Sequence, residues 1–220
     1  HHYEEMATEP AAHQKRFLSL WRQIAEHYKD YPPTLIFELM NEPNGAMTSL
    51  LWNEFVQQGV AVIRESNPTR NIIIGGTFWN AYDQLRSLNV PPDDGHLIAT
   101  FHYYLPFHFT HQGAEWAGEE AQKWVGTTWQ ATDSQKAEIN KHFDIVAAWS
   151  KQSGIPVYLG EFGAYSKADM DSRVRWTTYV REQAEARGFA WAYWEFGAGF
   201  GAYDRNARQW RQELLKALIP

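Results

Sequence analysis

The 220-residue sequence contains no cysteine, which excludes disulfide bonds, thiolate metal sites and cysteine nucleophiles. It has no apolar run near the roughly 20 residues that cross a bilayer, and no basic segment followed by an apolar one at its start. Its 20 lysines and arginines are outnumbered by 26 acidic residues, so no excess of positive charge can neutralise a phosphate backbone. Neither nucleic acid nor a membrane is expected as a partner, and the cellular compartment stays open.

Aromatic residues are abundant instead, with 11 Trp, 11 Tyr and 12 Phe. Core packing accounts for most of them, but several tryptophans lie in polar, turn-rich segments, where their flat apolar faces could stack on sugar rings. The composition therefore predicts a folded globular protein whose ligand is uncharged.

Short apolar runs alternate with longer amphipathic segments along the chain, which is typical of βα units around a parallel sheet. The predicted strands are Leu35–Met40, Ile72–Gly75, Leu97–Phe101, Val157–Gly160 and Phe189–Tyr193. The predicted helices are Ala11–Tyr28, Leu50–Ser66, Gln135–Ser153, Asp171–Arg187 and Arg208–Leu218, with a shorter one near Ala81–Leu88. Thr132 and Gln135 are spaced as in a capping box, and Gly154 and Gly188 stand where helices are expected to end.

This order of elements predicts the fold class. One helix followed by five βα units makes up most of an α/β TIM (β/α)8 barrel, a fold of about 250 residues. Roughly the first two and a half βα units of such a barrel are lacking from the sequence. No linker or shift in composition divides the chain, so residues 1–220 are predicted to form one domain.

A carboxylate follows the first predicted strand, in the segment Asn41-Glu42-Pro43. Catalytic groups of TIM barrels come from the carboxyl ends of the strands, which is where Glu42 stands. Pro43 removes a backbone donor and restricts Glu42 to an extended or turn conformation, which fixes the direction of its side chain. A solvated turn between strand and loop also explains these residues when they are taken alone.

A second carboxylate follows the fourth predicted strand, in the segment Gly160-Glu161-Phe162-Gly163. Glycines at such a position allow unusual backbone angles or the close approach of a ligand. A lone surface glutamate is the alternative interpretation. The pairing favours function, because two carboxylates at the ends of different barrel strands are the minimum equipment for cleaving a glycosidic bond.

Two other strand ends carry candidate site residues. His102 and Tyr104 lie on the same side of the third strand by its two-residue period, and both can donate hydrogen bonds to a carboxylate. A histidine bonded to the backbone is the alternative for His102. Trp194 follows the last strand, as a platform for a sugar ring or as a packing residue at the barrel rim.

These motifs together resemble glycoside hydrolase family five, the (β/α)-barrel cellulases and mannanases. The resemblance rests on Asn41-Glu42-Pro43, His102-Tyr103-Tyr104, Gly160-Glu161-Phe162-Gly163 and Trp194, in this order and at the strand ends. His1-His2-Tyr3 is similar to the motif that ends the family's third strand, although paired terminal histidines are also typical of a purification tag. Phe107–Trp116 and Trp194-Glu195-Phe196 are similar to bacterial endoglucanases of this family that accept both glucan and mannan.

The resemblance implies a retaining endo-β-1,4-glucanase acting on cellulose, mixed-linkage glucan and glucomannan, with Glu42 as general acid/base and Glu161 as nucleophile. It implies that His102 holds the acid/base and that Tyr104 holds the nucleophile. It implies that Asn41 binds the sugar 2-hydroxyl and that Trp194 supports the sugar in the −1 subsite. Residues 1–220 would then be a single catalytic domain, the C-terminal two-thirds of a barrel. Further substrate contacts are implied for His1, His2, Trp116 and Glu195.

The implied chemistry uses no metal or other cofactor. The sequence also contains no HExxH zinc pattern.

Three alternatives stay open. A β-1,4-mannanase of the same fold would use the same two glutamates. A non-catalytic fragment would bind carbohydrate through Trp116 and Trp194 without turnover. A barrel piece would act only when a second chain supplies the missing N-terminal strands, which carry an arginine near the nucleophile in the family. Alone, such a piece has open sheet edges, which favour instability or association.

Overall fold

The computed structural model describes residues 3–220, which form two compact units. The first unit extends to Phe101 and also includes Trp149–Val157. The second unit comprises His102–Ala148 and Tyr158–Pro220. That the chain is a single domain remains a prediction.

The strands confirm the predicted parallel α/β order. The sheet contains β1 (Phe37–Glu38), β2 (Ile72–Gly75), β3 (Leu97–Tyr103), β4 (Val157–Phe162) and β5 (Ala190–Trp191), hydrogen-bonded in this order. The pairing is parallel. Ile72 of β2 lies opposite Phe37 of β1 on one side and Leu97 of β3 on the other, and Tyr158 of β4 lies opposite Ala190 of β5. A separate antiparallel hairpin joins β6 (Tyr203–Asp204) to β7 (Gln209–Trp210).

The ends of the strands differ from the predicted limits. β1 and β5 are only two residues long. Single backbone bonds continue beyond them, from Leu39 N to Ile73 O (3.2 Å) and from Ala192 N to Leu159 O (2.9 Å). β3 and β4 each extend two residues further than predicted, through His102 in β3 and Glu161 in β4.

The helices alternate with the strands. They are α1 (Tyr3–Thr8), α2 (Pro10–His27), α3 (Ser49–Arg64), α4 (Thr77–Asn80), α5 (Phe107–Thr110), α6 (Glu120–Lys123), α7 (Asp133–Ser153), α8 (Met170–Ala186) and α9 (Gln212–Leu218). Where the sequence predicts an α-helix near Ala81–Leu88, the structure has a 3-10 helix over Tyr82–Ser87. Across residues 3–220, no helix combines the length and the apolarity needed to cross a membrane.

The predicted helix signals are confirmed at the sites where they are strongest. Gln135 N donates to Thr132 Oγ1 (3.3 Å) and Thr132 N donates to Gln135 Oε1 (3.1 Å), which completes the capping box before α7. Gly154 and Gly188 have φ angles of 73° and 72°, the left-handed conformation that ends a helix.

The last predicted helix, Arg208–Leu218, is wrong at its start. Its first residues form β7, and α9 begins only at Gln212. The Asp204 carboxylate accepts the N–H groups of Asn206 and Ala207 at 3.0 Å each. This side-chain cap closes a hairpin turn, which competes with the helical turn that the sequence pattern indicated.

In the first unit, two buried tryptophans hold the carboxyl ends of the strands. Trp21 of α2 donates its indole N–H to the carbonyl of Leu39 at 3.1 Å, just after β1. Trp52 of α3 donates to the carbonyl of Gly75 at 2.7 Å, the last residue of β2. A buried carbonyl left without a donor costs about 1–3 kcal/mol, so these bonds fix where both strands end.

In the second unit, Trp176 of α8 fixes the end of β3. Its ring stacks on that of Tyr103, with 6.4 Å between centroids and 11° between planes, and its N–H donates to the carbonyl of Leu105 at 3.0 Å. The Tyr103 hydroxyl in turn bonds His142 Nδ1 at 2.9 Å. The side chain of Tyr103 is therefore tied into the core, whereas its neighbours in sequence point to the candidate site.

Candidate active site

The predicted site residues follow strand ends in both units. Asn41 and Glu42 follow β1 in the first unit, where Asn41 is exposed and Glu42 is half-buried. The others belong to the second unit: His102 and Glu161 lie near the carboxyl ends of β3 and β4, and the segments after β3 and β5 carry Tyr104, Trp116, Trp194 and Glu195. Two predicted substrate contacts, His1 and His2, lie outside the described residues.

The loop after β1 holds Glu42 in an unusual backbone conformation. Its φ angle is 49°, in the left-handed region that residues other than glycine rarely adopt. The sequence allowed an extended or a turn conformation for Glu42 before Pro43, and the positive φ angle excludes the extended one. Such a conformation costs about 1–3 kcal/mol and persists only where surrounding contacts impose it.

Asn44 supplies one of these contacts. Its buried side-chain amide donates to the backbone carbonyl of Glu42 at 2.8 Å. The next residue, Gly45, has a φ angle of 63°, and a Cβ atom there would clash with the carbonyl of Ala7 in α1. Ala46 N donates to that same carbonyl at 2.7 Å. The loop carrying Glu42 is therefore braced on α1.

The turn after β2 presents two aromatic side chains that the sequence interpretation missed. Phe78 and Trp79 are 59% and 54% exposed, and with Asn80 they have φ angles of 52°, 58° and 55°. Trp79 N donates to the carbonyl of Pro43 at 3.2 Å, which joins this turn to the residue after Glu42. The available signal was the segment Gly75-Gly76-Thr77-Phe78-Trp79 at the end of β2.

In the second unit, β3 and β4 bring three polar side chains together. The Tyr104 hydroxyl donates to Glu161 Oε2 at 2.7 Å, and His102 Nδ1 lies 3.5 Å from the same oxygen. The side chains of His102 and Glu161 are only 3% and 14% exposed. The prediction that His102 and Tyr104 share one side of β3 is confirmed. A hydroxyl donor at this distance stabilises an ionised carboxylate.

Trp194 approaches the end of β4 through its backbone. Its N–H donates to the carbonyl of Phe162 at 2.9 Å, and the peptide bond to Glu195 is cis. A Cβ atom on Gly163 would clash with the carbonyl of Trp194, so the glycine after Glu161 serves a close approach of backbone to backbone. The Trp194 indole is 45% exposed and available to a ligand.

Glu195 folds back onto the loop that follows it. Its Oε1 accepts the N–H groups of Ala198 (2.8 Å) and Phe200 (3.1 Å), and its Oε2 accepts those of Gly197 (3.1 Å) and Ala198 (2.8 Å). The sequence interpretation, based on resemblance, did not include this role. The substrate contact implied for Glu195 stays a prediction.

Trp116 stands on a rigid base of aromatic rings. Its indole is 63% exposed and packs edge-on against Tyr165, with centroids 4.9 Å apart, and at a tilt of 44° against Phe200, with centroids 6.1 Å apart. Tyr165 donates its hydroxyl to Glu115 at 2.7 Å, a bond that raises the pKa of Tyr165 to about 12 and lowers the pKa of Glu115. The arrangement suits a flat ligand resting on Trp116.

His111 is a second histidine near Tyr104 that the sequence interpretation quoted but gave no role. Its ring packs edge-on against Tyr104 (5.0 Å) and stacks on Phe107 (4.1 Å), and Nδ1 lies 3.0 Å from Thr110 Oγ1. Burial lowers its pKa to about 4. The ring is therefore neutral at neutral pH and acts as part of the wall beside Tyr104.

With this geometry in place, comparison with known proteins identifies the family. The model for cellulase, glycosyl hydrolase family 5, matches residues 1–199. The chain belongs to this family. The predicted (β/α)-barrel fold class is confirmed.

Relatives of this family-5 chain are endoglucanases. Endoglucanase H of Acetivibrio thermocellus is 39% identical over 226 residues, which cover 100% of this chain and 23% of the relative. Endoglucanase C of the same organism is 31% identical over 235 residues, which cover 93% of this chain and 66% of the relative. The structure of endoglucanase Cel5A from Thermotoga maritima superposes with a TM-score of 0.95 at 49% identity, over 100% of this chain and 70% of that chain. The chain thus spans under a quarter of the first relative and about two thirds of the second.

Proposed function

We propose that this chain carries the two catalytic glutamates of a retaining endo-β-1,4-glucanase, with Glu161 as nucleophile and Glu42 as general acid/base. The observation that carries the proposal is the hydrogen bond from Tyr104 to Glu161 at 2.7 Å, at the end of a buried parallel strand. Membership of the cellulase family supports it.

In the first step, ionised Glu161 attacks the anomeric carbon. Protonated Glu42 gives its proton to the departing glycosidic oxygen, and a covalent glycosyl-enzyme forms. The hydroxyl of Tyr104 favours the charged form of Glu161, as a nucleophile requires. No metal or cofactor enters this scheme.

In the second step, Glu42 is ionised and takes a proton from water, which attacks the same carbon. Two inversions give net retention of the anomeric configuration. The proposal requires the two carboxyl groups to stand about 5–5.5 Å apart on opposite sides of the bound bond, the spacing for direct attack.

The remaining residues are proposed to bind sugar. Asn41 would bind the 2-hydroxyl, Trp194 would support the sugar at the cleavage point, and Trp116 would contact a more distant unit. His102 would hold the acid/base, and His1 and His2 would line the donor side. The rings of Trp116 and Trp194 and the residue Asn41 are exposed, which matches their proposed roles as sugar contacts.

We add Phe78 and Trp79 to the proposed contacts. Both are exposed on a turn bonded to Pro43, next to the proposed acid/base, so they would meet the part of the polysaccharide that leaves first. Trp79→Ala should raise KM for a polymer about tenfold and leave an aryl cellobioside, whose leaving group is not a sugar, unaffected. The exposed Tyr31→Ala, at the amino end of β1, is the matched control.

The substrate is proposed to be β-1,4-glucan, with glucomannan and mannan as the alternative. Thermotoga maritima Cel5A has been solved in complex with cellobiose and with mannotriose, so one family-5 site can receive both sugars. The two sugars differ at the 2-hydroxyl, and a hydrogen bond there decides the preference by about 1–3 kcal/mol. Initial rates on carboxymethylcellulose, glucomannan and galactomannan separate a glucanase from a mannanase.

The same assay separates catalysis from binding. Release of reducing sugar that disappears in Glu161→Gln supports the proposal, whereas binding to polysaccharide without any release would support a non-catalytic function. Activity that arises only after a second polypeptide carrying the first strands of a family-5 barrel is added would support the proposal that a partner chain completes the site.

A further inference from the structure

The carboxylate of Glu195 is occupied mainly by its own loop. Each of its two oxygens accepts two backbone N–H bonds, at 2.8 and 3.1 Å. Three N–H groups make these four contacts, because that of Ala198 is shared between the two oxygens. An ionised carboxylate offers about four lone-pair sites, so most of its acceptor capacity is used within the loop. The Glu195 carbonyl also accepts the N–H of Ala202 at 3.1 Å. One residue therefore organises the whole loop from Glu195 to Ala202.

Phe200 lies in this loop, and its buried ring packs beside the candidate site. Phe200 is 4% exposed, and its backbone is held on both sides. Its N–H is bound by Glu195, and its carbonyl accepts from Arg173 Nη2 (2.9 Å) and from the Tyr193 hydroxyl (2.8 Å). Gly199 is required before it, because a Cβ atom there would clash with the ring of Tyr165.

The Phe200 ring is the common neighbour of the aromatic residues beside the nucleophile. Its centroid lies 5.9 Å from that of Tyr104, 5.4 Å from those of His111 and Tyr165, and 6.1 Å from that of Trp116. Tyr104 packs edge-on against both Phe200 and His111, and it donates the hydrogen bond to Glu161. A displacement of Phe200 would remove one of these edge-on contacts from the Tyr104 ring.

We propose that Glu195 is a positioning residue for the nucleophile: it fixes Phe200, and Phe200 keeps Tyr104 against Glu161. The inference rests on the proposed function in one respect, the assignment of Glu161 as nucleophile. It differs from a substrate contact, because Glu195 then acts on the rate of attack and not on the affinity for sugar.

The test compares Glu195→Gln with Asp204→Asn. The glutamine keeps the size of the side chain but turns an N–H group toward backbone N–H donors. Asp204 caps the next turn of the same hairpin through Asn206 and Ala207, so Asp204→Asn controls for general loosening. The measurements are kcat and KM on cello-oligosaccharides, and the rate at which an activated 2-deoxy-2-fluoro-cellobioside labels Glu161 covalently.

We expect Glu195→Gln to lower kcat and the labelling rate about 10- to 100-fold, with KM changed less than about twofold, because a small misplacement of the attacking group has an effect of this size. Phe200→Leu, which keeps the apolar volume but removes the ring, should reproduce the loss. Asp204→Asn should keep the wild-type rates. A rise in KM with kcat and labelling unchanged would identify Glu195 as a direct sugar contact and overturn the proposal.

A measurement without substrate separates this proposal from the proposed function. In the wild-type protein the N–H groups of Ala198 and Phe200 should exchange slowly with solvent, and Glu195→Gln should accelerate both about tenfold or more while shifting the ring signals of Tyr104 in NMR spectra. A wild-type protein that stays inactive even after the second polypeptide is added would refute the proposed function alone. Unchanged exchange and unchanged Tyr104 signals in the variant would refute the positioning role alone.

Discussion

The two proposed catalytic glutamates are held in place in different ways. Glu161 stands at the end of a buried strand, and its carboxylate meets the Tyr104 hydroxyl at 2.7 Å and a His102 nitrogen at 3.5 Å. Glu42 lies beyond its strand at a φ angle of 49°, and the amide of Asn44 bonds its backbone carbonyl. Glu161, the proposed nucleophile, is thus oriented through its side chain, whereas Glu42, the proposed acid/base, is oriented through a strained backbone.

The difference shows what kind of substitution should affect each of these two glutamates. A nucleophile must stay charged and aimed at one carbon, which fixed donors accomplish. Around Glu161, the loss of a side-chain donor should alter the chemistry without unfolding the loop. Around Glu42, the loss of a contact should release stored strain and redirect the acid, with a larger effect on stability.

The largest expected effect separates the two glutamates. Glu161→Gln should lower turnover about 10⁴-fold or more for every substrate, because no other group can attack the anomeric carbon. Glu42→Gln should have a similar effect on polysaccharide but spare aryl glycosides whose leaving group departs without protonation. Initial rates on carboxymethylcellulose and on a dinitrophenyl cellobioside measure both.

The two glutamates would have equal roles if both variants lost both substrates to the same degree. NMR of the first product adds an independent check. An inverted anomer would contradict the double displacement, even if each glutamate proved essential.

The second effect concerns the donor to Glu161. Tyr104→Phe should lower kcat about 100-fold, since a donor aimed at a reacting charged group is worth roughly this much. Tyr103→Phe is the matched control on the same strand, because the hydroxyl of Tyr103 bonds His142 in the core. The control should cost about 1 kcal/mol of stability and leave kcat unchanged. Equal losses of kcat would mean that strand packing, and not the hydrogen bond, matters.

A third, smaller effect tests the hydrogen bond that holds the backbone of Glu42. Asn44→Ala removes the bond to the Glu42 carbonyl and should lower the free energy of unfolding by about 1–2 kcal/mol. Turnover of polysaccharide should fall about tenfold, whereas the dinitrophenyl substrate, which needs no acid, should react normally. Asn53 also bonds a backbone carbonyl, that of Ser87 at 2.9 Å, so Asn53→Ala is the control. An equal loss on both substrates in Asn44→Ala would show that the loop does more than aim the acid.

The last effect concerns stability and leaves turnover unchanged: it is a dependence of the free energy of unfolding on pH in the second unit. Burial lowers the pKa of His111 to about 4 in the folded protein, whereas an unfolded histidine titrates near its ordinary value of 6.5. Between these pH values the unfolded chain binds a proton that the folded protein does not bind. The contribution of neutral His111 to the free energy of unfolding is therefore complete above pH 6.5 and is lost as the pH falls toward 4. The total is about 3 kcal/mol at most.

Urea unfolding of the wild-type protein and of His111→Gln at pH 7 and pH 4.5 measures this contribution. The free energy of unfolding should fall more steeply toward acid in the wild-type protein than in the variant. The same fall in both proteins would show that His111 is not the group responsible.

Much of this protein follows from sequence alone. Apolar runs bounded by turn residues located all five parallel strands, and the limits of the four long helices were right to within two residues, because backbone ladders and amphipathic faces depend on neighbours in sequence. Two-residue alternation correctly placed His102 and Tyr104 on one side of β3, beside Glu161. Glu42 and Glu161 could be chosen because carboxylates directly after strands are visible without any structure.

Only the tertiary structure decided which atoms meet and which backbone angles are forced. The left-handed conformations of Glu42 and of Phe78–Asn80 arise where loops are bonded to distant segments, α1 and Pro43, and no local pattern encodes such contacts. The carboxylate of Glu195 turned out to bind the backbone of its own loop, which the order of residues in that loop did not indicate. Residues distant in sequence meet only after folding, as Tyr104 and Glu161 do, so sequence periodicity shows which side a residue faces but not which partner it bonds.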